Sequence, residues 1–303
     1  MQDSAPEIVP DTQHRGFVAR LPRPLRDYAL LARFDRPIGW WLLFWPCAWG
    51  VLLAGGEARW DVLAWLLLGS IAMRGAGCVY NDIVDAKLDA RVARTAARPV
   101  ASGAISKRAA WVWLALLCLV GLGVLVQLRP AAQATALGSL ALVAAYPFMK
   151  RITGFPQGWL GLVFTWGVPV GWIALRSDRL EVMAALYVGA VLWCIGYDTI
   201  YACQDREDDA LVGIGSSALA LGRHVRTGVM AFYAGAAACW ALAIWLLRPD
   251  GVALLALLPV TVHLAWQALT LRADDGANAL ARFRSNRTAG LLLALACWVV
   301  GNA

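Results

Sequence analysis

Ten residues, NDIVDAKLDA from Asn81 to Ala90, gather four oxygen-bearing side chains at the end of a strongly apolar run. Asn81, Asp85 and Asp89 recur every four residues, with Asp82 beside them, so on a helix these oxygens fall along one face. Stacked carboxylates repel one another, and near hydrocarbon they also lose hydration. A divalent cation relieves both penalties. Oxygen ligands without Cys or His select a hard ion, and Mg²⁺ binds through one or two carboxylates completed by substrate phosphates. The spacing therefore points to a Mg²⁺–diphosphate, although a single run of this kind reads equally well as a solvated acidic loop edge.

A second run answers the first. YDTIYACQDREDD carries Asp198, Tyr201, Gln204, Asp205, Asp208 and Asp209, with Asp198, Asp205 and Asp209 at i, i+7 and i+11. Two carboxylate-bearing helices are expected to hold the metal diphosphate between them, with Asn81, Asp82, Asp85, Asp89, Asp205 and Asp209 as metal ligands. Basic residues stand near both runs: Arg94 and Arg98 in RTAARP, Lys150 and Arg151 in YPFMKR. Guanidinium forks match phosphate oxygens, and lysine acts as a point charge.

The elements that must position these groups follow from composition. Of 303 residues, 60% are hydrophobic and only 16% charged, with 16 tryptophans and a mean hydropathy of +0.60. Soluble chains are about 25% charged. Apolar runs separated by charged connectors define an all-α polytopic membrane protein, because isolated strands cannot cross lipid with unpaired backbone groups. Nine transmembrane helices are expected, roughly at 38–55, 60–80, 108–127, 130–148, 157–175, 181–201, 225–247, 251–271 and 287–302. The segment LRDYALLARFDRP reads as an amphipathic helix lying on the interface.

Basic residues set the orientation. With the N-terminus inside, the inner connectors hold fifteen Lys and Arg residues and the outer ones five, so the N-terminus is expected to be cytoplasmic. The net charge of +7 is then mainly a topology signal, and nucleic-acid binding is not expected. Residues 1–22 read as a mobile cytoplasmic tail and 23–303 as a single transmembrane domain. Neither a signal peptide nor a transit peptide is expected at the N-terminus, because Asp3, Glu7 and Asp11 interrupt its basic residues. The seven cysteines lie almost wholly in apolar runs without a Cys-x-x-Cys pair and read as small core residues.

These motifs also carry a resemblance. NDIVDAKLDARVARTAARPVASG resembles the N-D-x-x-D-x-x-x-D signature of the UbiA-type membrane prenyltransferases, and YDTIYACQDREDD followed by GIGSSAL resembles their second signature. RFDRPIGWWLLFWPCAW, YPFMKRITGFPQ and FRSNRTAG are similar to the branch that prenylates 4-hydroxybenzoate in ubiquinone biosynthesis. The resemblance implies nine helices around a central cavity, Mg²⁺ dependence and transfer of a polyprenyl chain from its diphosphate to an aromatic ring; the expected setting is a bacterial cell inner membrane, with the active site on the cytoplasmic side. It implies no obligate protein partner.

On that basis Asp198, Asp85 and Asp205 are the expected catalytic carboxylates. The diphosphate would be steadied by Lys150, Arg94 and Arg98, and the allylic cation walled by Tyr197, Tyr201, Trp40 and Trp41, with an interfacial role equally open for the two tryptophans. Arg74, two turns below Asn81, is expected to anchor the acceptor carboxylate, against the alternative of a salt bridge or backbone cap inside the bundle. Arg36 and Asp35 are candidates for the cavity mouth or a substrate contact, or an interfacial anchor. The FRSNRTAG segment receives no chemical role. A sibling enzyme with homogentisate, dihydroxynaphthoate, haem or a chlorophyll precursor as acceptor is the alternative, and a secondary transporter stands behind it; transporter sites lie nearer the bilayer midplane.

Overall fold

The computed structural model describes residues 16–55, 59–91, 93–204 and 215–303, without the side chains of residues 93, 94, 150 and 151. Every regular element among the described residues is helical. A 3-10 turn at Phe17–Arg20 leads into the amphipathic α1 (Arg23–Leu31), which takes Pro24 in its first turn, where a missing N–H costs nothing. Then come α2 (Ile38–Ala54), α3 (Trp60–Asp89), the short α4 (Ala93–Ala96), α5 (Lys107–Leu125) and α6 (Pro130–Ile152). The rest are α7 (Pro156–Phe164), α8 (Gly167–Leu175), α9 (Leu180–Ala202), α10 (Ser217–Leu221), α11 (Val225–Leu247), α12 (Gly251–Leu254), α13 (Leu258–Thr270), α14 (Gly276–Arg284) and α15 (Asn286–Asn302).

Seven stretches among the described residues are long and apolar enough to cross a membrane. The first and last of the nine expected spans correspond to α2 and α15, helices of 17 residues each. The fifth expected span is broken between α7 and α8, where buried Thr165 turns its hydroxyl back onto the Gly161 carbonyl at 2.8 Å. The eighth is interrupted by a 3-10 turn at Leu255–Leu257.

α3 differs most usefully from expectation. It does not stop near residue 80 but continues through the acidic run for 30 residues, about 45 Å at 1.5 Å per residue. No proline interrupts Trp60–Asp89, so nothing in the sequence terminates it earlier. The hydrocarbon layer is only about 30 Å thick, so one rigid helix carries both Arg74 and the acidic run.

The chain forms two compact units, one of the described residues up to Trp40 with Leu67–Gln127, the other of Trp41–Leu66 with Leu128–Ala303. The first is built on a stripe of α3, Ala76, Val79, Ile83 and Ala86, buried with Leu31, Val100, Ile105 and Leu117. Tyr28 of α1 closes edge-on against Trp113 of α5 at 5.7 Å. In the second unit, α9 packs most extensively against α11. Two glycines of α9 permit that approach: a Cβ on Gly189 would lie 2.5 Å from the Trp240 ring, and one on Gly196 would lie 2.5 Å from the Tyr233 ring. Small residues that let helices approach are the usual device within a bilayer, where lipid tails remove any hydrophobic drive between helices. Fully buried Trp49 meets Trp193 at 4.9 Å and Trp240 at 5.7 Å, so close aromatic packing and hydrogen bonds hold this unit. Exposed Trp111, Leu116, Leu119 and Leu122 on α5 suit contact with lipid.

Candidate active site

Helical geometry sorts the acidic run before any ligand is considered. At about 100° per residue, Arg74, Asn81 and Asp85 fall within roughly 40° of one another around α3, well away from the apolar stripe through Val79 and Ile83. Asp82 and Asp89 lie on the flank closer to that stripe. Asp82 is 2% exposed, and Asp85 and Asp89 are each 6% exposed.

The two flanking carboxylates are satisfied by arginine. Arg33 Nη2 donates to both oxygens of Asp82, at 3.1 and 3.0 Å. Arg98 Nη1 bridges from Asp82 Oδ1 at 3.2 Å to Asp89 Oδ2 at 2.8 Å. The loop bearing Arg98 is fixed further by Thr95, whose hydroxyl donates to the Asp89 carbonyl at 2.9 Å. Arg98, expected on the diphosphate, is thus the counter-ion of two expected metal ligands. Arg33 was not among the expected site residues. No local spacing links residue 33 to residue 82, and its one oddity, a left-handed φ of +58°, is invisible in sequence.

Asn81 is half-buried, and its Oδ1 accepts no hydrogen bond from the described residues. Buried polar atoms are nearly always paired, so this oxygen is an acceptor to which a ligand can be matched. Asp85 is buried on the same sector one turn on. Two turns deeper, half-buried Arg74 directs Nη1 at Cys78 Sγ, and Gly39 packs against it so closely that a Cβ there would lie 2.7 Å from Nε. Arg36 donates from Nε to Asp35 Oδ2 at 3.1 Å.

The second run is described only at its start. Asp198 is half-buried near the end of α9, Tyr197 is 2% exposed, and Tyr201 is half-buried with its ring 4.6 Å from Phe283. Asp205, Asp208 and Asp209 lie outside the described residues, as do the side chains of Arg94, Lys150 and Arg151. Among the described residues no three His, Cys, Asp or Glu side chains are gathered as a metal cluster. Tyr197, expected on a cavity wall, is enclosed by Trp193 at 4.7 Å and Phe283 at 5.9 Å. Trp40 stacks on Phe34 at 6.3 Å; Trp41 stacks on Trp45 at 5.2 Å, and the Arg287 guanidinium stands over the Trp41 ring at 5.0 Å.

The long third helix of this all-helical chain ends in an amide and three buried carboxylates. The sequence matches the UbiA prenyltransferase family over residues 43–297, and the chain belongs to that family. It is 42% identical over 294 residues to the mitochondrial 4-hydroxybenzoate polyprenyltransferase of Rattus norvegicus, covering 95% of this chain and 78% of that one. To the enzyme of the same name from Arabidopsis thaliana it is 38% identical, covering 90% of this chain and 68% of that one. Among solved structures, the apo UbiA homolog from Aeropyrum pernix K1 superposes with a TM-score of 0.71 at 25% identity, covering 86% of this chain and 97% of that one. The UbiA homolog from Archaeoglobus fulgidus bound to GPP and Mg²⁺ shares the fold, with a TM-score of 0.65 at 16% identity over 90% of this chain and 99% of that one. The expectation of a bacterial cell inner membrane is corrected by the relatives, which are named as mitochondrial enzymes. Hydropathy and basic-residue asymmetry mark a chain as multi-pass but carry no information on which membrane holds it.

Proposed function

We propose that this protein transfers a polyprenyl group from polyprenyl diphosphate to the ring of 4-hydroxybenzoate in a Mg²⁺-dependent reaction of ubiquinone biosynthesis. Supporting this reading are identities of about 40% to enzymes of that name along most of the chain, and a mitochondrial membrane is favoured by the same names. The observation in the fold that carries it is the Arg74–Asn81–Asp85 sector of α3, where a cation and two oxygen donors stand on one helix face. The basic-residue asymmetry supports nine spans with the N-terminus on the positively charged side, and residues 23–303 acting as one prenyltransferase domain.

The donor set fits Mg²⁺: all oxygen, with Asn81 Oδ1 available and Asp82 and Asp89 already neutralised by arginine. Asn81 and Asp85 are the ligands offered by α3, and Asp205 and Asp209 are proposed from the second run. When bound, Mg²⁺ neutralises charge on the diphosphate leaving group so that the allylic C–O bond can ionise. Arg94, Arg98 and Lys150 steady the departing diphosphate, Arg98 while holding Asp82 and Asp89 in place. Arg74 pairs with the acceptor carboxylate and so presents one edge of the aromatic ring. The ring carbon forms a C–C bond to the allylic carbon as the C–O bond to diphosphate breaks, and the ring proton then passes to Asp198, to water or to the released diphosphate, restoring aromaticity. Asp198 stands on α9 to assist ring activation or to bind metal, Tyr201 offers a π face to the cation, and Arg36 with Asp35 guards the entry to α2.

Purified protein given Mg²⁺, a polyprenyl diphosphate and labelled 4-hydroxybenzoate should form prenylated product, and EDTA should stop it. Absence of product under every metal condition would defeat the reading. Product formed only from homogentisate or dihydroxynaphthoate would reassign the acceptor.

A further inference from the structure

The FRSNRTAG segment, left without a role by its sequence, sits at the corner where α14 meets α15 and holds a buried polar network. Asn286 is fully buried. Its Oδ1 accepts from Trp193 Nε1 of α9 at 2.9 Å, and its Nδ2 lies 3.2 Å from Gln267 Oε1 of α13 and from the carbonyls of Arg282 and Phe283. Tyr233 of α11 donates to Gln267 Oε1 at 2.8 Å, and Gln267 Nε2 donates to Ser285 Oγ at 2.9 Å. One amide thereby ties α9 and α13 to the corner, and through Gln267 it ties in α11. In a lipid-embedded bundle such groups have no water to fall back on, so the network fixes a single arrangement of the helices around it.

The same corner grips α9 a second time. Trp193, Tyr197 and Tyr201 recur every four residues and form a continuous stripe on α9. The Trp193 and Tyr197 rings meet at 4.7 Å, and Phe283 lies 5.9 Å from Tyr197 and 4.6 Å from Tyr201. Two residues three apart, Phe283 and Asn286, thus touch α9 along more than two turns. Asp198 sits on the adjacent flank of that helix, about 60° around from Tyr201.

We infer that Asn286 and Phe283 are positioning residues that set the rotation of the C-terminal half of α9, and through it the place of the Asp198 carboxylate. A carboxylate stands roughly 5–6 Å from its helix axis, so a rotation of about 20° displaces it by about 2 Å. Misplacement by 1 Å can cost about 100-fold in rate. The effect on catalysis rests on the proposed function; the effect on α9 does not.

Hydrogen–deuterium exchange of the full-length protein in detergent or nanodiscs separates the two. Asn286→Ala should speed exchange of amides 197–204 at least 10-fold while α5 and α6 keep wild-type protection. Its prenyl-transfer kcat should fall at least 10-fold, yet fall less than 2-fold further when introduced into Asp198→Asn. Because Asn286→Ala can fail to fold, Phe283→Leu is the second variant; it should lower kcat at unchanged thermal midpoint, with Phe283→Tyr restoring it. Unaltered exchange at 197–204 in both variants overturns the inference whatever the activity. Full additivity of Asn286→Ala with Asp198→Asn overturns the link to Asp198. If the wild-type enzyme transfers no prenyl group, the functional reading fails while exchange still decides the inference about α9.

Discussion

Replacing Arg33 with Met tests how the acidic run of α3 is held. The substitution keeps most of the aliphatic stem and removes the guanidinium that reaches both oxygens of Asp82 at 3.0–3.1 Å. Asp82 is 2% exposed, so its charge has little water to turn to. Losing one partner of a buried pair costs about 3–5 kcal/mol. Here Arg98 remains at 3.2 Å from Oδ1 and offsets part of that, leaving an expected loss of about 2–3 kcal/mol. At roughly 2–4 °C per kcal/mol, the thermal midpoint should fall by about 5–10 °C.

The backbone supplies an internal control. Arg33 has a φ of +58°, a left-handed conformation that costs a non-glycine residue about 1–2 kcal/mol. Arg33→Gly removes the same ion pair but relieves that strain, so it should be less destabilised than Arg33→Met by about 1 kcal/mol. Adding Asp82→Leu to Arg33→Met should recover at least half of the loss, because the buried charge that Arg98 alone compensates only in part is then gone. Thermal unfolding in one detergent at one pH measures these three variants and Asp82→Leu alone. A midpoint for Arg33→Met within 1 °C of wild type, or strict additivity with Asp82→Leu, would refute the reasoning.

Three other perturbations probe different parts of the chain. Gly39→Ala places a Cβ where Arg74 Nε lies 2.7 Å away, so it should raise the KM for 4-hydroxybenzoate about 10-fold, as Arg74→Leu should, while the donor KM stays put; initial-rate kinetics with each substrate varied will show it. Asp85→Asn should lower kcat by about 10²-fold and raise the Mg²⁺ concentration for half-maximal rate, read from a Mg²⁺ titration after EDTA stripping. Gly196→Ala, whose Cβ would meet the Tyr233 ring at 2.5 Å, should destabilise by about 1–3 kcal/mol, measured as a lowered thermal midpoint.

Much of the fold was legible because a bilayer makes the code coarse: apolar runs must become helices, and they did. Breaks within runs were harder to see. Thr165 between α7 and α8 and the turn at Leu255–Leu257 involve residues as apolar or as small as their neighbours, so hydropathy passes over them. The shared helix face of Arg74, Asn81 and Asp85 was legible in residue type and helical phase, since spacing alone sets it once α3 runs unbroken through all three. Partner choice was not. Arg33 to Asp82 spans 49 positions and Trp193 to Asn286 spans 93, and no periodicity within one helix encodes a contact between distant ones.

The acidic run shows why spacing and partnership must be separated. By sequence, Asn81, Asp82, Asp85 and Asp89 are one set of oxygens. Around α3 they divide by angle, and the division follows from what the helix must bury. The stripe through Ala76, Val79, Ile83 and Ala86 needs apolar cover, and the segments that provide it bring Arg33 and Arg98 along. Carboxylates on the near flank, Asp82 and Asp89, meet those arginines as a consequence of core packing. Asn81 and Asp85, turned the other way, share their sector with Arg74 instead. An amide at position 81 then has a physical reason: with Asp85 one turn on, a second carboxylate there would add repulsion on the sector, whereas an amide oxygen can ligate a cation without that charge. Asn81→Asp should therefore bind Mg²⁺ more tightly but lower the thermal midpoint of the metal-free protein, and a midpoint unchanged without metal would show that the sector tolerates the added charge.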